Sequence, residues 1–165
     1  NFNHKEEKTM IKQIRVDYRL LHGQVAVSWT SALGADCLLL VSNTVKSDPL
    51  RLETLKLAKP AGTKVVVKNE QEAVEALKSG VTDKYKLFII CEDVKIARTI
   101  LEATQVKSLN VGNTPFREGT TQYGKSANLT KEEEQEIKEM LDEGIDVYIQ
   151  MVPAEKSIKC KSLFK

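Results

Sequence analysis

Short, continuous apolar runs are the feature of this sequence that most constrains its fold. Residues 38–41 read LLLV and residues 87–90 read LFII, with no polar residue in either run. Strands that are buried on both faces have this pattern, which is typical of a parallel sheet covered by helices. Other runs of strand length are less uniformly apolar. The strand candidates are residues 10–16, 37–41, 64–67, 86–91, 108–111 and 146–150.

The segments between these runs carry helical start and stop signals. The start signals are Asp48 before Pro49, Asn69 with Glu72, and Thr130 with Glu133. The glycines placed to end a helix in the left-handed conformation are Gly34, Gly80 and Gly144. A first helix near residues 24–33 would carry an apolar face, which we interpret as core: Val25, Trp29 and either Ala32 or Leu33. Strand–helix alternation along the whole chain predicts an α/β fold, with three α/β/α layers around a mostly parallel central sheet of about six or seven strands.

Composition narrows the class of function. The 25 basic and 23 acidic residues give a net charge of +2 and are spread along the chain, so we expect no nucleic-acid partner. No apolar run approaches the ~18 residues that a membrane span needs. The cysteines, Cys37, Cys91 and Cys160, are odd in number and lack metal-ligand spacing. We therefore expect a cytoplasmic protein in a reducing compartment, without a metal site.

The domain organisation is expected to be simple. A chain of 165 residues is long enough for one domain with a sizeable core, and we expect residues 10–165 to form it. Residues 1–9 are polar and charged, and we interpret them as an expression remnant or a disordered lead. The longest stretch without a predicted element is 112–129, and loops of this length are often functional.

The loop after the first strand is the most informative segment for function. Ligands of an open parallel sheet bind beyond the carboxyl ends of its strands, where His22 falls just before the first helix. A helix N-terminus favours anions, Gly23 allows close approach, and Arg19 offers a planar fork for phosphate. Neutral imidazole is a good nucleophile near pH 7, so the group suits phosphoryl chemistry. On spacing alone, a capping or core histidine with Arg19 in a structural ion pair is the simpler interpretation.

A family resemblance changes that balance. Residues 15–25 read RVDYRLLHGQV, and Trp29 follows. The segment resembles the opening motif of IIB components in the mannose/fructose/sorbose family of sugar phosphotransferase systems, R-[VI]-D-x-R-L-[IL]-H-G-Q-V with a tryptophan shortly after. Further matches follow in order, from about Met10 to the final strand. They are Val41 with Ser42, then residues 58–62 (AKPAG), 110–112 (NVG), 116–119 (FREG) and 121–122 (TQ).

The resemblance implies a specific reaction. His22 would accept a phosphoryl group from the phosphohistidine of a IIA protein and pass it to a sugar hydroxyl held by the membrane proteins IIC and IID. The chain would be a protein-phosphohistidine–sugar phosphotransferase, cytoplasmic and peripherally associated with the permease. It would need no cofactor and no metal. The resemblance implies Nδ1 as the phosphorylated atom, a choice that the sequence alone does not make.

Roles for the surrounding residues follow from the same resemblance. Arg19 would hold the phosphoryl oxygens. Asp17 would orient Arg19 or His22, and capping of the loop is an equal alternative. Phe116 and Arg117 would line either the phosphohistidine pocket or a partner surface. The expected phosphate pocket comprises Asp17, Gly23, Gln24, Ser42, Asn43, Phe116 and Arg117.

Two positions depart from the family pattern. Asn43 stands where aspartate is common, which removes one negative charge if that loop lines the site. Asn113 stands where a second glycine is common, and asparagine adopts the left-handed backbone more readily than most residues. These changes bear on transfer rate or sugar class more than on fold. The sugar and the oligomeric state stay open, with a homodimer as one alternative.

A second motif supports a different function. Residues 119–126, from Gly119 to Ser126, read GTTQYGKS and match the P-loop pattern of nucleotide-dependent kinases and NTPases. That pattern requires a strand directly before it and a helix directly after it. Here the preceding strand candidate ends near Val111 and the next helix is capped by Thr130. We interpret the segment as a flexible polar loop, with Lys125 adding positive charge near the site. A P-loop enzyme is kept as the alternative function.

Overall fold

The computed structural model describes residues 10–164, and the prediction for residues 1–9 lies outside them. Nine strands are present, six of them at the predicted positions. The strands are β1 (Ile11–Asp17), β2 (Cys37–Val41), β3 (Lys64–Lys68), β4 (Leu87–Cys91), β5 (Ser108–Asn113), β6 (Thr121–Tyr123), β7 (Ala127–Leu129), β8 (Asp146–Ile149) and β9 (Ile158–Lys159). The helices are α1 (Gly23–Leu33), α2 (Pro49–Leu57), α3 (Glu70–Ser79), α4 (Val94–Thr104), α5 (Lys131–Asp142) and α6 (Cys160–Leu163), with a 3-10 turn at Val45–Ser47.

Seven strands form the central sheet in the order β3-β2-β4-β1-β5-β8-β9. Every neighbouring pair is parallel except β8 with β9. The predicted class, an α/β fold with a mostly parallel sheet of about six or seven strands, is therefore confirmed. All residues of the runs at 38–41 and 87–90 are buried, as expected for strands covered on both faces.

Two apolar layers enclose the sheet. One face packs against α1 and α2 through a cluster that includes Trp29, Leu40, Leu55 and Phe88. The other face packs against α3, α4, α5 and α6 through a larger cluster centred on β1, β4 and β5. Each large apolar side chain buried in this way contributes about 1.5–3 kcal/mol.

The helix boundary signals behave as predicted. Asp48 accepts a hydrogen bond from the Arg51 amide at the start of α2. Complete capping boxes begin α3 and α5: Asn69 with Glu72, and Thr130 with Glu133. Gly34 and Gly80 end α1 and α3 with φ of 65° and 84°, and Gly144, with φ of 87°, directly follows the last residue that caps α5. Helix α4 ends differently, because Gln105 adopts the left-handed conformation without being glycine.

The stretch 112–129 is more structured than predicted. Strand β5 continues to Asn113, and β6 pairs with β7 in an antiparallel hairpin. Ala127 and Leu129 of β7 are buried in the core, which fixes the hairpin against the sheet. Strands of three residues carry too little periodicity to be recognised in a sequence.

Within residues 10–164, no helix has the length and apolar character that crossing a membrane requires. The three cysteines, all within the described residues, are unpaired and buried.

Candidate functional site

His22 is the last residue of the loop that joins β1 to α1. Its backbone is extended, with φ of −149° and ψ of 130°, and its side chain makes no capping hydrogen bond. His22 is thus the N-cap residue of α1 through its backbone, whose carbonyl accepts from the Ala26 amide, while its side chain does not cap the helix. The imidazole instead lies with Nε2 2.9 Å from Oδ2 of Asp17, and the side chain is 11% exposed. One ring nitrogen is occupied by the protein and the ring retains a solvent-accessible side.

Asp17, the last residue of β1, is fully buried. Its Oδ1 accepts a hydrogen bond of 3.0 Å from the Arg19 amide. Its Oδ2 lies 2.9 Å from Nε2 of His22 and 3.2 Å from Nη2 of Arg15. The two roles left open by the sequence, orienting the histidine and capping the loop, are both filled. A buried carboxylate needs such partners to remain ionised.

Arg15 is the member of this cluster that the sequence analysis missed. It is 1% exposed, and Nη1 donates to Oδ1 of Asn110 and to the carbonyl of Gln150. Nη2 donates to Asp17 and to the carbonyl of Met151. Burial lowers the pKa of the Arg15 guanidinium from its ordinary value, and the Asp17 carboxylate opposes that shift. The signal was available: an arginine in the middle of a central strand must be paired, because charged residues are almost never buried alone.

The loop between β1 and α1 is held by its own backbone and by the core. Leu20 adopts a left-handed conformation, with φ of 61°, while its side chain is buried. The Leu20 amide donates to the Asp17 carbonyl, and the Tyr18 amide donates to the Asn113 carbonyl. Asn113 is thus the last residue of β5 and pairs with β1; the left-handed backbone considered for it is not used.

Gly23 and Gln24 form the first turn of α1, beside His22. Gly23 has a positive φ of 47°, which a residue with a side chain would rarely adopt, and Gln24 is exposed. The first amides of a helix have no partner within the helix and carry the positive end of its dipole. The predicted anion-binding position therefore lies next to the imidazole.

Arg19 is exposed on the same loop, and its side chain has no ion pair within residues 10–164. It borders an open depression of about 470 Å³ together with Tyr18, Arg51 and Glu92. No carboxylate of the described residues engages the guanidinium, and its contact with a phosphoryl group stays a prediction.

Ser42 is connected to the loop between β1 and α1 through the side chains of Glu92 and Arg51. Its Oγ donates to Oε1 of Glu92 at 2.8 Å, and Oε2 of Glu92 lies 2.7 Å from Nη1 of Arg51. Arg51 in turn donates to the Tyr18 carbonyl. In the described residues Ser42 has no hydrogen bond to His22, so it contributes as support for the loop rather than as a phosphate ligand.

Asn43 lies apart from His22 and caps α3. Its Oδ1 accepts from the Glu70 amide at 2.9 Å, and Nδ2 donates to Oε1 of Glu70 at 3.2 Å. The structure therefore places Asn43 against the neighbouring helix, and its expected effect on charge in the phosphate pocket has no structural support.

The side chains of Phe116 and Arg117 lie in different surroundings. Phe116 is 79% exposed, as a partner surface would require. Arg117 turns toward the start of α5, where Nη2 lies 2.9 Å from Oε1 of Glu133 and donates to the Asn128 carbonyl. No contact joins Arg117 to His22 in the residues described, so its expected place in the phosphate pocket is not supported.

The P-loop pattern at residues 119–126 runs along a hairpin. It covers β6 and the turn before β7, without a preceding strand of the main sheet and without a helix after Ser126. Lys125 is exposed and lies 3.2 Å from Glu155. The structure gives no support to the nucleotide-binding alternative, since the strand–loop–helix context is missing. Within residues 10–164, no group of three or more His, Cys, Asp or Glu side chains could hold a metal ion.

Comparison with known proteins identifies the family. The family model described as "PTS system sorbose subfamily IIB component" matches residues 11–165. A Streptococcus pyogenes serotype M6 protein named as a probable phosphotransferase enzyme IIB component is 30% identical over 161 residues, covering 93% of this chain and 99% of its own length.

Solved structures agree with this result. The IIBSor domain of the sorbose permease from Klebsiella pneumoniae superimposes with a TM-score of 0.86 at 25% identity, covering 92% of this chain and 94% of that domain. The N-acetylgalactosamine-specific IIB component 1 from Escherichia coli gives a TM-score of 0.81 at 27% identity, over 89% of this chain and 97% of its own. The chain therefore belongs to the sorbose subfamily of phosphotransferase-system IIB components, within the mannose/fructose/sorbose family.

Proposed function

We propose that this chain carries a phosphoryl group on Nδ1 of His22, taking it from a IIA phosphohistidine and giving it to a sugar bound by membrane IIC and IID proteins. Family membership makes the chain a phosphotransferase component. The observation that carries the finer proposal is the 2.9 Å contact between Nε2 of His22 and Oδ2 of Asp17.

This contact selects the reactive nitrogen. An ionised carboxylate only accepts hydrogen bonds, so Nε2 must carry the proton that it donates to Asp17. In the neutral ring the lone pair then resides on Nδ1. Arg15, at 3.2 Å from the same carboxylate oxygen, is a second donor to it and holds the carboxylate in place. Nδ1 is therefore the nucleophile.

The two transfers balance without an added reagent. In the first, the Nδ1 lone pair forms a bond to phosphorus, while the donor's nitrogen–phosphorus bond breaks and its electron pair returns to the donor imidazole. In the second, a sugar hydroxyl oxygen bonds to phosphorus and its proton passes to solvent, while the Nδ1–phosphorus bond breaks and its electron pair returns to Nδ1. In the intermediate the proton stays on Nε2, so the ring carries a formal positive charge beside the anionic phosphoryl group, and the Asp17 carboxylate stabilises that ring.

The phosphoryl oxygens need positive charge around them. The first turn of α1, at Gly23 and Gln24, supplies free amides and the helix dipole. Arg19 supplies a guanidinium that is not engaged elsewhere in the described residues. Such preorganised donors stabilise charge on a transferring group more than water does. This arrangement requires no metal and no diffusible cofactor.

The proposal also covers the partners of the chain and its location in the cell. To receive phosphate from a IIA donor and deliver it to IIC and IID, the chain would act on the cytoplasmic face of a membrane, against the permease. We propose Phe116, on the loop after β5, as part of the surface that meets a partner, because it is large, apolar and 79% exposed.

Label transfer from phosphoenolpyruvate tests this function. The protein is incubated with labelled phosphoenolpyruvate, the general phosphotransferase enzymes and a IIA protein of the family, and the bound label is tested for acid lability and alkali stability. We expect such label on the wild type and none on His22→Ala. The matched control is Lys125→Ala, which should label like the wild type. Equal labelling of His22→Ala would contradict the proposal.

A further inference from the structure

We propose that Arg15 is a positioning residue for phosphoryl transfer: it fixes the Asp17 carboxylate, and through it the proton on Nε2 of His22. This inference rests on the proposed function, in which Nδ1 is the nucleophile. Arg15 itself touches neither the reacting nitrogen nor the phosphoryl group. It lies two residues before Asp17 in β1 and donates to the Asp17 carboxylate.

The guanidinium of Arg15 is held in its plane by four acceptors. Nη1 bonds to Asn110 and to the Gln150 carbonyl, and Nη2 bonds to Asp17 and to the Met151 carbonyl. These acceptors come from β5, from the end of β8 and from β1 itself. A planar donor group satisfied on both of its terminal nitrogens has one orientation.

The guanidinium also packs closely against Trp29 and Gly112. The Trp29 ring centre lies 5.4 Å from Cζ, and the indole Nε1 is anchored to the Met151 carbonyl at 2.8 Å. Against Gly112 the packing leaves no space at all: a Cβ added there would lie 2.0 Å from Cζ of Arg15. Gly112 does not have the positive φ that requires glycine elsewhere in the chain, so its lack of a side chain serves the guanidinium.

The role of this arrangement follows from the burial of Asp17. The carboxylate has 0% exposure, and its permanent cationic neighbour is Arg15. Without that neighbour, the Asp17 carboxylate would lose a donor that fixes its orientation and would be free to turn away from His22. Nε2 would then lack its acceptor, and the ring proton would be shared between the two nitrogens. Wherever the proton is on Nδ1, the lone pair needed for attack is lost.

Gly112→Ala tests the proposal while keeping every polar group. Its methyl group should displace the guanidinium. We expect nitrogen-15 NMR of the His22 ring at a pH where it is neutral to show mainly the Nε2–H tautomer in the wild type. Gly112→Ala, Arg15→Ala and the reference variant Asp17→Asn should show a mixture. Phosphoryl acceptance should fall by roughly 10- to 100-fold in Gly112→Ala and Arg15→Ala.

A double variant separates the proposed path from a general loss of packing. If Gly112→Ala acts through the guanidinium, it should have little further effect once Arg15→Ala has removed that group, and the two effects should be far from additive. Additive effects would contradict the proposal. Wild-type tautomer and rate in Gly112→Ala would overturn it as well. If Arg15→Ala does not fold by circular dichroism, Gly112→Ala with its tautomer and rate decides the question.

Failure of the underlying function would look different. If the wild type accepts no label, the proposed function fails, whereas the tautomer measured in unphosphorylated protein still tests Arg15. If the wild type accepts label and the tautomer is indifferent to Gly112→Ala, the carrier function stands and the role of Arg15 is rejected.

Discussion

Nη2 of Arg51 lies 2.9 Å from the carbonyl oxygen of Tyr18, which ties the first turn of α2 to the loop that carries His22. The other end of the guanidinium is held by Glu92 at 2.7 Å, just beyond the end of β4. The loop that carries His22 is thus supported by two charged side chains, Arg51 of α2 and Glu92 after β4. Its own leucines, Leu20 and Leu21, are also buried in the core.

Arg51→Met should slow phosphoryl acceptance by roughly 3- to 10-fold, because the loop loses one of its supports while the Asp17–His22 contact remains. The measurement is the initial rate of labelling from a phosphorylated IIA protein. Arg98→Met is the matched control, since Arg98 also lies in an ion pair, with Glu139, but on the opposite face of the sheet. A rate equal in both variants would contradict a role for Arg51.

Arg19→Ala should slow transfer by roughly 100-fold or more, because one preorganised cationic donor to the phosphoryl oxygens is lost. Arg19→Lys should recover only part of the rate, since an ammonium group cannot make a two-pronged contact with phosphate. Single-turnover kinetics with phosphorylated IIA would measure both. Wild-type rates in Arg19→Ala would remove this residue from the site.

Lys125→Ala should leave phosphoryl acceptance unchanged and should reveal no nucleotide affinity to lose. Lys125 pairs with Glu155 on an exposed hairpin turn, and such pairs contribute less than about 1 kcal/mol to stability. Equilibrium binding of ATP to the wild type, with and without magnesium, completes the test. ATP binding that disappears in Lys125→Ala would return the P-loop pattern to consideration.

Thr130→Ala should reduce the free energy of unfolding by about 1 kcal/mol, because the Thr130 hydroxyl caps α5 at the Glu133 amide. The expected fall in melting temperature is about 2–4 °C. Thr54→Ala makes the same chemical change in the exposed middle of α2, where alanine is the better helix former, and should not destabilise the protein. Equal losses in the two variants would show that the cap is not responsible.

The buried thiols predict a loss of stability in alkali. Burial raises the pKa of the Cys160 thiol to about 12 and raises the pKa of the Cys91 thiol well above its ordinary value. The folded state therefore holds these protons more tightly than the unfolded state. Their contribution is complete below about pH 8.5, where unfolded thiols are protonated, and declines as the pH rises above it, by up to about 1.4 kcal/mol per pH unit for each thiol.

Urea unfolding at several pH values above pH 8 would measure this slope. Cys160→Ala should show a shallower decline than the wild type, because the Cys160 proton is no longer involved. The comparison at matched pH removes the effects of lysine and tyrosine ionisation, which both proteins share. Parallel slopes would contradict the contribution of Cys160.

Local signals in the sequence account for most of the correct predictions about the fold. Continuous apolar runs marked β2 and β4, which are buried on both faces, and less uniform runs of strand length marked the other four predicted strands. Asn69 and Thr130 marked helix starts, because capping needs only residues three positions apart. The end of α4 at Gln105 and the two-residue strand β9 had no comparable signal.

The site shows where sequence reasoning reached its limit. His22, Asp17 and Gly23 lie within one loop, so their proximity was readable. The partners of Arg15 could not be predicted from the sequence, because they are Asn110, 95 residues away, and carbonyl groups at the end of β8. Arg117 was expected at either the phosphohistidine pocket or a partner surface, and its ion pair with Glu133 had no signal in the sequence, because it depends on the direction of the hairpin.

The small exposed fraction of His22 has a consequence for the order of events under the proposed function. Asp17 binds Nε2, and the His22 side chain is only 11% exposed. Donor and acceptor must both reach Nδ1 of this one ring, so they cannot be bound there together. Each partner must dissociate before the next one docks, and the sequence of the two half-reactions is set by exchange of partners rather than by rearrangement within the chain.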